Sequence, residues 1–215
     1  VLSCLCKTRL NDEDTLRVLA FAYECGNYDV ATVALKTLKE SEQYVLLPAK
    51  YIISMLAQNT FSAEQKVALL KLSFGYKTEN KSFESIVSNY LCFNLDDAVT
   101  RKAILDCLFE KSATFPTSLV ETYVLKCSAD GARKPEVIKQ MFDKGLNTTF
   151  FNDLLSRYMS ATVDTPEVKV EVINTLTAIG LKIDPAAFVD YICESQDDVQ
   201  SKINFIGKMV RNGAQ

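Results

Sequence analysis

The feature that most constrains this chain is one short pattern that keeps restarting. Apolar residues recur at three- and four-residue spacing, stop at a Gly, Pro or Asx turn, and begin again. The pattern is clearest between residues 144 and 192, where KGLNTTFFNDLLSRYM is followed by a polar break and then VKVEVINTLTAIGLKIDPAAFVDYI. A Gly-Leu pair, Gly145-Leu146 and later Gly180-Leu181, ends one helix. An aromatic, Phe151 and later Phe188, stands near the start of the next. Three-four spacing gathers apolar side chains on one helical face. Glycine ends helices because it enters the left-handed region without a Cβ penalty.

The same reading extends along the chain. Helices are predicted over 15–25, 29–39, 49–58, 62–72, 82–91, 94–110, 116–127, 136–144, 149–160, 165–179, 185–194 and 197–211, which pair as six hairpins. Ser62-Ala63-Glu64-Gln65 has the form of a capping box. Asp96-Asp97 and Asp197-Asp198 lie at predicted helix starts, where capping and the helix dipole account for them. Val168-Lys169-Val170-Glu171-Val172 alternates like a strand, but its continuation to Ile173, Leu176 and Ile179 follows a helical period. Seven Gly and five Pro are few for an all-β chain. The expected fold is all-α: a right-handed α-solenoid of about six helical hairpins, forming a single repeat domain over residues 1–215.

Leu16, Tyr51, Phe83, Leu119, Phe151 and Phe188 align as the third position of each hairpin's first helix. Their gaps are 35, 32, 36, 32 and 37, a mean of about 34 residues. A period near 34 belongs to the tetratricopeptide class of helical repeats. An irregular helical bundle is the alternative, because hairpins of average length recur at similar intervals.

Composition removes several functions. There is no His, hence no Ser-His or Cys-His pair and no imidazole metal ligand. The seven Gly form no phosphate loop, and Cys4-x-Cys6 lacks a second pair at zinc-finger spacing. No catalytic residue, cofactor or metal is assigned. The net charge of −3 weighs against a general nucleic-acid binder, DNA included. No apolar run is long enough to cross a bilayer. The seven Cys are irregularly spaced and mostly inside apolar runs, which points to a reducing, intracellular compartment. The opening Val1-Leu2-Ser3-Cys4-Leu5-Cys6-Lys7 is not a targeting peptide and reads as the interior of a longer protein, or as a processed form.

The second half of the chain resembles pentatricopeptide repeats, and the resemblance extends over nearly all of the chain, being clearest in residues 144–213. That family's unit ends in a phrase close to M-x-x-x-G-x-x-P-D before an aromatic in the next first helix. Here Met141-Phe142-Asp143-Lys144-Gly145-Leu146 precedes Phe150-Phe151, and Gly180-Leu181-Lys182-Ile183-Asp184-Pro185 precedes Phe188. Gly26-Asn27-Tyr28-Asp29-Val30-Ala31 is similar to the family's turn into its second helix. The resemblance implies a mitochondrial or other organellar setting, with a cytoplasmic one otherwise. It also implies single-stranded RNA read one base per repeat. The fifth positions of the first helices are Val18, Ile53, Ser85, Glu121, Asp153 and Asp190, and the residues before successive units are Pro48, Asn80, Pro116, Thr148 and Pro185. No complete pair among them matches the family's reading pairs. Val and Ile cannot hydrogen-bond a base edge, and carboxylates repel phosphate.

A protein partner within a larger assembly is therefore the leading expectation, with RNA the alternative. Tyr23, Tyr51, Tyr90, Tyr123 and Tyr158 all fall in first helices, which line the concave face in such repeats. With Ser85, Asp153 and Asp190 they form the candidate binding set, the competing reading being that the rings pack between repeats. Convergence of Lys66, Lys71, Lys102, Lys126, Lys139 and Lys169 on one groove would favour RNA.

Overall fold

The computed structural model describes residues 11–40, 47–75, 80–94, 96–112, 114–151, 153–161 and 163–211. Every regular element among them is helical. In chain order they are α1 (Asp12–Glu24), α2 (Tyr28–Glu40), α3 (Ala49–Ala57), α4 (Ala63–Ser73), α5 (Asn80–Phe93), α6 (Ala98–Lys111), α7 (Thr117–Lys126), α8 (Lys134–Phe142), α9 (Leu154–Ser160), α10 (Pro166–Ile179), α11 (Ala186–Glu194) and α12 (Val199–Arg211). Short 3-10 turns at Gly131–Arg133 and Thr148–Phe151 precede α8 and α9.

Local chemistry explains most boundaries. Ser62 caps α4 in a full capping box, its hydroxyl accepting from Gln65 N–H while the Gln65 side chain accepts from Ser62 N–H. Asp97 and Asp198 cap α6 and α12 by accepting backbone N–H groups of Thr100 and Ser201. At Gly26 (φ +63°) and Gly180 (φ +111°) the chain turns left-handed. The following N–H reaches back five residues, Asn27 to Ala22 O and Leu181 to Leu176 O, which closes the helix end. Gly145 is also left-handed. The helix expected over 149–160 divides in two. Asn147 Oδ1 accepts from both the backbone and the hydroxyl of Thr149, which winds the entry into a 3-10 turn and delays α9 to Leu154.

The chain divides into two compact units, Val1–Lys111 and Ser112–Gln215, each with three hairpins. In the first unit α1 packs on α3 and α3 on α5, while α2 packs on α4 and α4 on α6. In the second, α7 packs on α9 and α9 on α11, while α8 packs on α10 and α10 on α12. Within each unit, then, first helices touch first helices and second helices touch second helices, in two layers. The core between the layers is aliphatic and aromatic: Leu19, Ile52 and Leu69 in the first unit, Val137, Leu155 and Ile173 in the second, all fully buried. Burial of each such side chain contributes about 1.5–3 kcal/mol.

Candidate functional site

The second helices carry cations where an apolar stripe would be expected. Lys66 (α4), Arg101 (α6), Lys134 (α8) and Lys169 (α10) are all buried. An isolated buried charge is unfavourable, so each must be neutralised by close partners. The partners follow one rule.

Three of the four cations close the C-terminus of the first helix of their own hairpin. Lys66 Nζ donates to Leu56 O at 2.8 Å, Arg101 Nη2 to Leu91 O at 2.6 Å, and Lys134 Nζ to Val124 O at 2.8 Å. Arg101 Nη1 donates also to Tyr90 O and Asn94 O. These carbonyls have no partner inside their helices and sit at the negative end of the helix dipole.

The lysines then reach the next hairpin. Lys66 Nζ pairs with Asp96 Oδ1 at 2.6 Å, Lys134 with Asp164, and Lys169 with Asp197 at 3.2 Å. A tyrosine of that same next hairpin donates to the same carboxylate: Tyr90 to Asp96 at 2.9 Å, Tyr158 to Asp164 at 2.7 Å, and Tyr191 to Asp197 at 2.8 Å. Tyr123 donates likewise to Asp130 at 2.6 Å. The result is a Lys–Asp–Tyr staple joining one hairpin to its successor. Around Lys134 the staple is also aromatic, with Nζ at 5.8 Å from the Tyr123 ring centre and 5.1 Å from that of Tyr158.

Burial and the neighbouring charges set the ionisation of these clusters. Burial pushes the Lys134 ammonium down, opposed by its hydrogen bond and charge attraction to Asp164. Burial, reinforced by Asp164, pushes the Tyr158 hydroxyl well above its ordinary value. Burial and Asp197 do the same to Tyr191. At Asp197 burial acts upward, but the hydrogen bond from Tyr191 and the charge of Lys169 outweigh it and hold the carboxyl low. In both clusters the phenol stays protonated and donates to the carboxylate beside it.

These contacts reassign several residues singled out above. Tyr23, Tyr90, Tyr123 and Tyr158 are buried, which takes four of the five tyrosines out of any binding surface. Their rings pack, Tyr23 edge-on to Phe61, and the other three hydroxyls serve the aspartates. Tyr51 is half-buried, beneath the Lys50 ammonium. Ser85, Asp153 and Asp190 are exposed. Asp153 is held by Arg157, which also reaches Glu121 on the neighbouring first helix. Of the carboxylate pairs assigned to capping, only the second members cap. Asp96 and Asp197, one residue ahead, belong to the staples. Of the six lysines named for an RNA groove, Lys66 and Lys169 are interior, and exposed Lys102 is paired with Asp106.

Composition and apolar periodicity do not reveal the cations, because a lysine in an amphipathic helix reads as solvated. Spacing does reveal them. Lys66, Arg101, Lys134, Lys169 and Lys202 are separated by 35, 33, 35 and 33 residues. Tyr90, Tyr123, Tyr158 and Tyr191 each precede the cation of their own hairpin by eleven.

An apolar cleft of about 310 Å³ lies along α1 and the start of α2, lined by Val18, Phe21, Ala22 and Val30 with Arg17 at its edge. Among the described residues no cluster of three or more Cys, Asp or Glu is placed to hold a metal ion, and no helix is long and apolar enough to cross a membrane. Compared with protein-family models, curated proteins and solved structures, the chain matches none.

Proposed function

We propose that this chain is a run of helical-repeat hairpins of the α-solenoid class, with a period of about 34 residues, acting as a non-catalytic scaffold for a protein partner in a larger assembly. The observation that carries this reading is the staple. A cation recurs at 35, 33, 35 and 33 residues, and three times it ties its own first helix or second helix to the aspartate of the following hairpin. Repeat arrays owe their stability to such nearest-neighbour interfaces, and their function to the surface left outside them. The titratable groups with the most unusual environments are spent inside the interfaces, so the reading assigns them no chemistry. The outer first-helix surface of the second unit is a self-paired mixture of Glu121, Arg157 and Asp153, which offers a phosphate chain no continuous basic track.

Affinity purification of the chain from its source cell, with and without nuclease, tests this. Proteins retained after nuclease treatment are the expected result. Loss of every partner on digestion would replace the scaffold reading with an RNA-dependent one.

A further inference from the structure

The last hairpin repeats the staple on one side only. Lys202 stands on α12 where Lys134 and Lys169 stand on α8 and α10, and its Nζ donates to Ile192 O at 2.8 Å, the end of its own first helix. Its first half is therefore built. The second half is not: among the described residues no carboxylate pairs with Lys202, which is half-exposed while Lys134 and Lys169 are fully buried.

Three apolar positions around it are more exposed than a counterpart in a preceding hairpin. Ile192 follows Tyr191 as Val124 follows Tyr123 and Met159 follows Tyr158. Val124 and Met159 are fully buried, while Ile192 is 49% exposed. Ile203 follows Lys202 as Val170 follows Lys169, at 58% against 3%. Val210 stands eight residues after its cation as Phe142 does, at 62% against 6%, although Thr177, eight residues after Lys169, is exposed. In the preceding hairpin the helices that carry Met159 and Val170 pack on the next hairpin, α9 on α11 and α10 on α12. On α11 and α12 they are bare.

We infer that the outer face of α11 and α12 is a docking platform for one more helical hairpin, which places an aspartate from its inter-helix elbow on Lys202 Nζ and covers Ile192, Ile203 and Val210. The required carboxylate is specified by position. In the hairpins that complete a staple it precedes the cap of the second helix by one residue, as Asp96 precedes Asp97 and Asp197 precedes Asp198. A second copy of this chain does not meet the requirement: its first hairpin has Gly26 at that position, ahead of the cap Asn27. The occupant is a hairpin of the same type as α11–α12, with an acidic elbow.

This inference rests on the repeat reading of the chain but not on the identity of any partner. The test is a tandem extension, in which the chain through Arg211 is followed by a second copy of residues 180–211, so that the added Asp197 equivalent is offered to Lys202. Amide hydrogen exchange is followed across α11 and α12. Docking slows exchange there by about tenfold or more, and substituting Asn for the added aspartate removes that protection while leaving the original residues 1–211 untouched. Lys202→Met also removes it in the extended chain, whereas in the original chain it costs only the bond from Lys202 to Ile192 O at the end of α11. Unchanged exchange in α11 and α12, or equal sensitivity to Lys202→Met with and without the extension, overturns the platform. A failed extension beside nuclease-resistant partners would sink this inference alone, whereas protection here with no retained protein would sink the scaffold.

Discussion

Two staples in the second unit use the same residues to different depth. Lys134, Asp164 and Tyr158 are sealed, with the two charged side chains 0% and 2% exposed, and the ammonium lies between two aromatic rings. Lys169, Asp197 and Tyr191 repeat the connectivity one hairpin later, but Asp197 is 18% exposed and the ion pair opens to 3.2 Å. The inner staple has a complete hairpin beyond it, α11 and α12, whereas none follows the outer one among the described residues. The chemistry of a staple is thus fixed by its own residues, and its dielectric environment by whatever stacks next.

The largest effect should come from breaking the inner staple. Asp164→Asn removes the carboxylate paired with buried Lys134, and loss of one member of a buried pair costs about 3–5 kcal/mol. Denaturant unfolding of the second unit, followed by exchange of α9 and α10 amides, should shift by that amount. Lys134→Met combined with Asp164→Leu should recover most of it, because two apolar groups restore the packing without a stranded charge. If the double variant is as damaged as Asp164→Asn, the staple's value is Coulombic and not a matter of avoiding desolvation.

How much of this was legible in advance divides along the same line. Twelve helices, their pairing and most of their turns follow from apolar spacing, Gly180 and the Ser62 box, since local chemistry decides them. The staples did not follow from the same rules. Lys169 lies in a stretch of alternating Val and polar residues, where a lysine is expected to face water. It is interior because Asp197, 28 residues on, is brought to it by the packing of α10 on α12. The tyrosines were found but misread for the same reason. A ring on a helix carries no local mark of which neighbour will cover it, and only its constant offset from a cation gives the role away. Gly26 was similarly half-legible. Its left-handed φ could be anticipated from the turn, but not the 2.5 Å approach of a Cβ there to Thr60 Oγ1.

The outer staple should be weaker and open to titration. Asp197→Asn should lower stability by about 1.5–3 kcal/mol, the range for a hydrogen bond to a charged group, and so by less than Asp164→Asn. Its pH signature follows from the direction of the shift. The folded carboxyl is held below its ordinary value, so its contribution is present above roughly pH 4 and is lost as pH falls through the folded value. Wild type should lose stability in that acid window more steeply than Asp197→Asn, measured by thermal melting across the range. Identical acid limbs would mean that Asp197 gains nothing from Lys169 and Tyr191, and the comparison between the two staples would lose its basis.

The smallest effect calibrates the other two. Lys102 and Asp106 form an ion pair on α6 at 2.7 Å, as short as the distances within the staples, yet their side chains are 53% and 44% exposed. Water and salt screen such a pair, and the two chains must give up rotamer freedom to hold it, so Lys102→Ala should change stability by less than about 1 kcal/mol. Raising the ionic strength should erase even that. The same salt should leave the difference between wild type and Asp164→Asn almost untouched, because counter-ions do not reach a charge that is 0% exposed. Equal salt sensitivity at the two sites would show that the Lys134 cluster is wetter than its burial implies. Distance does not rank these three pairs; the covering hairpin does.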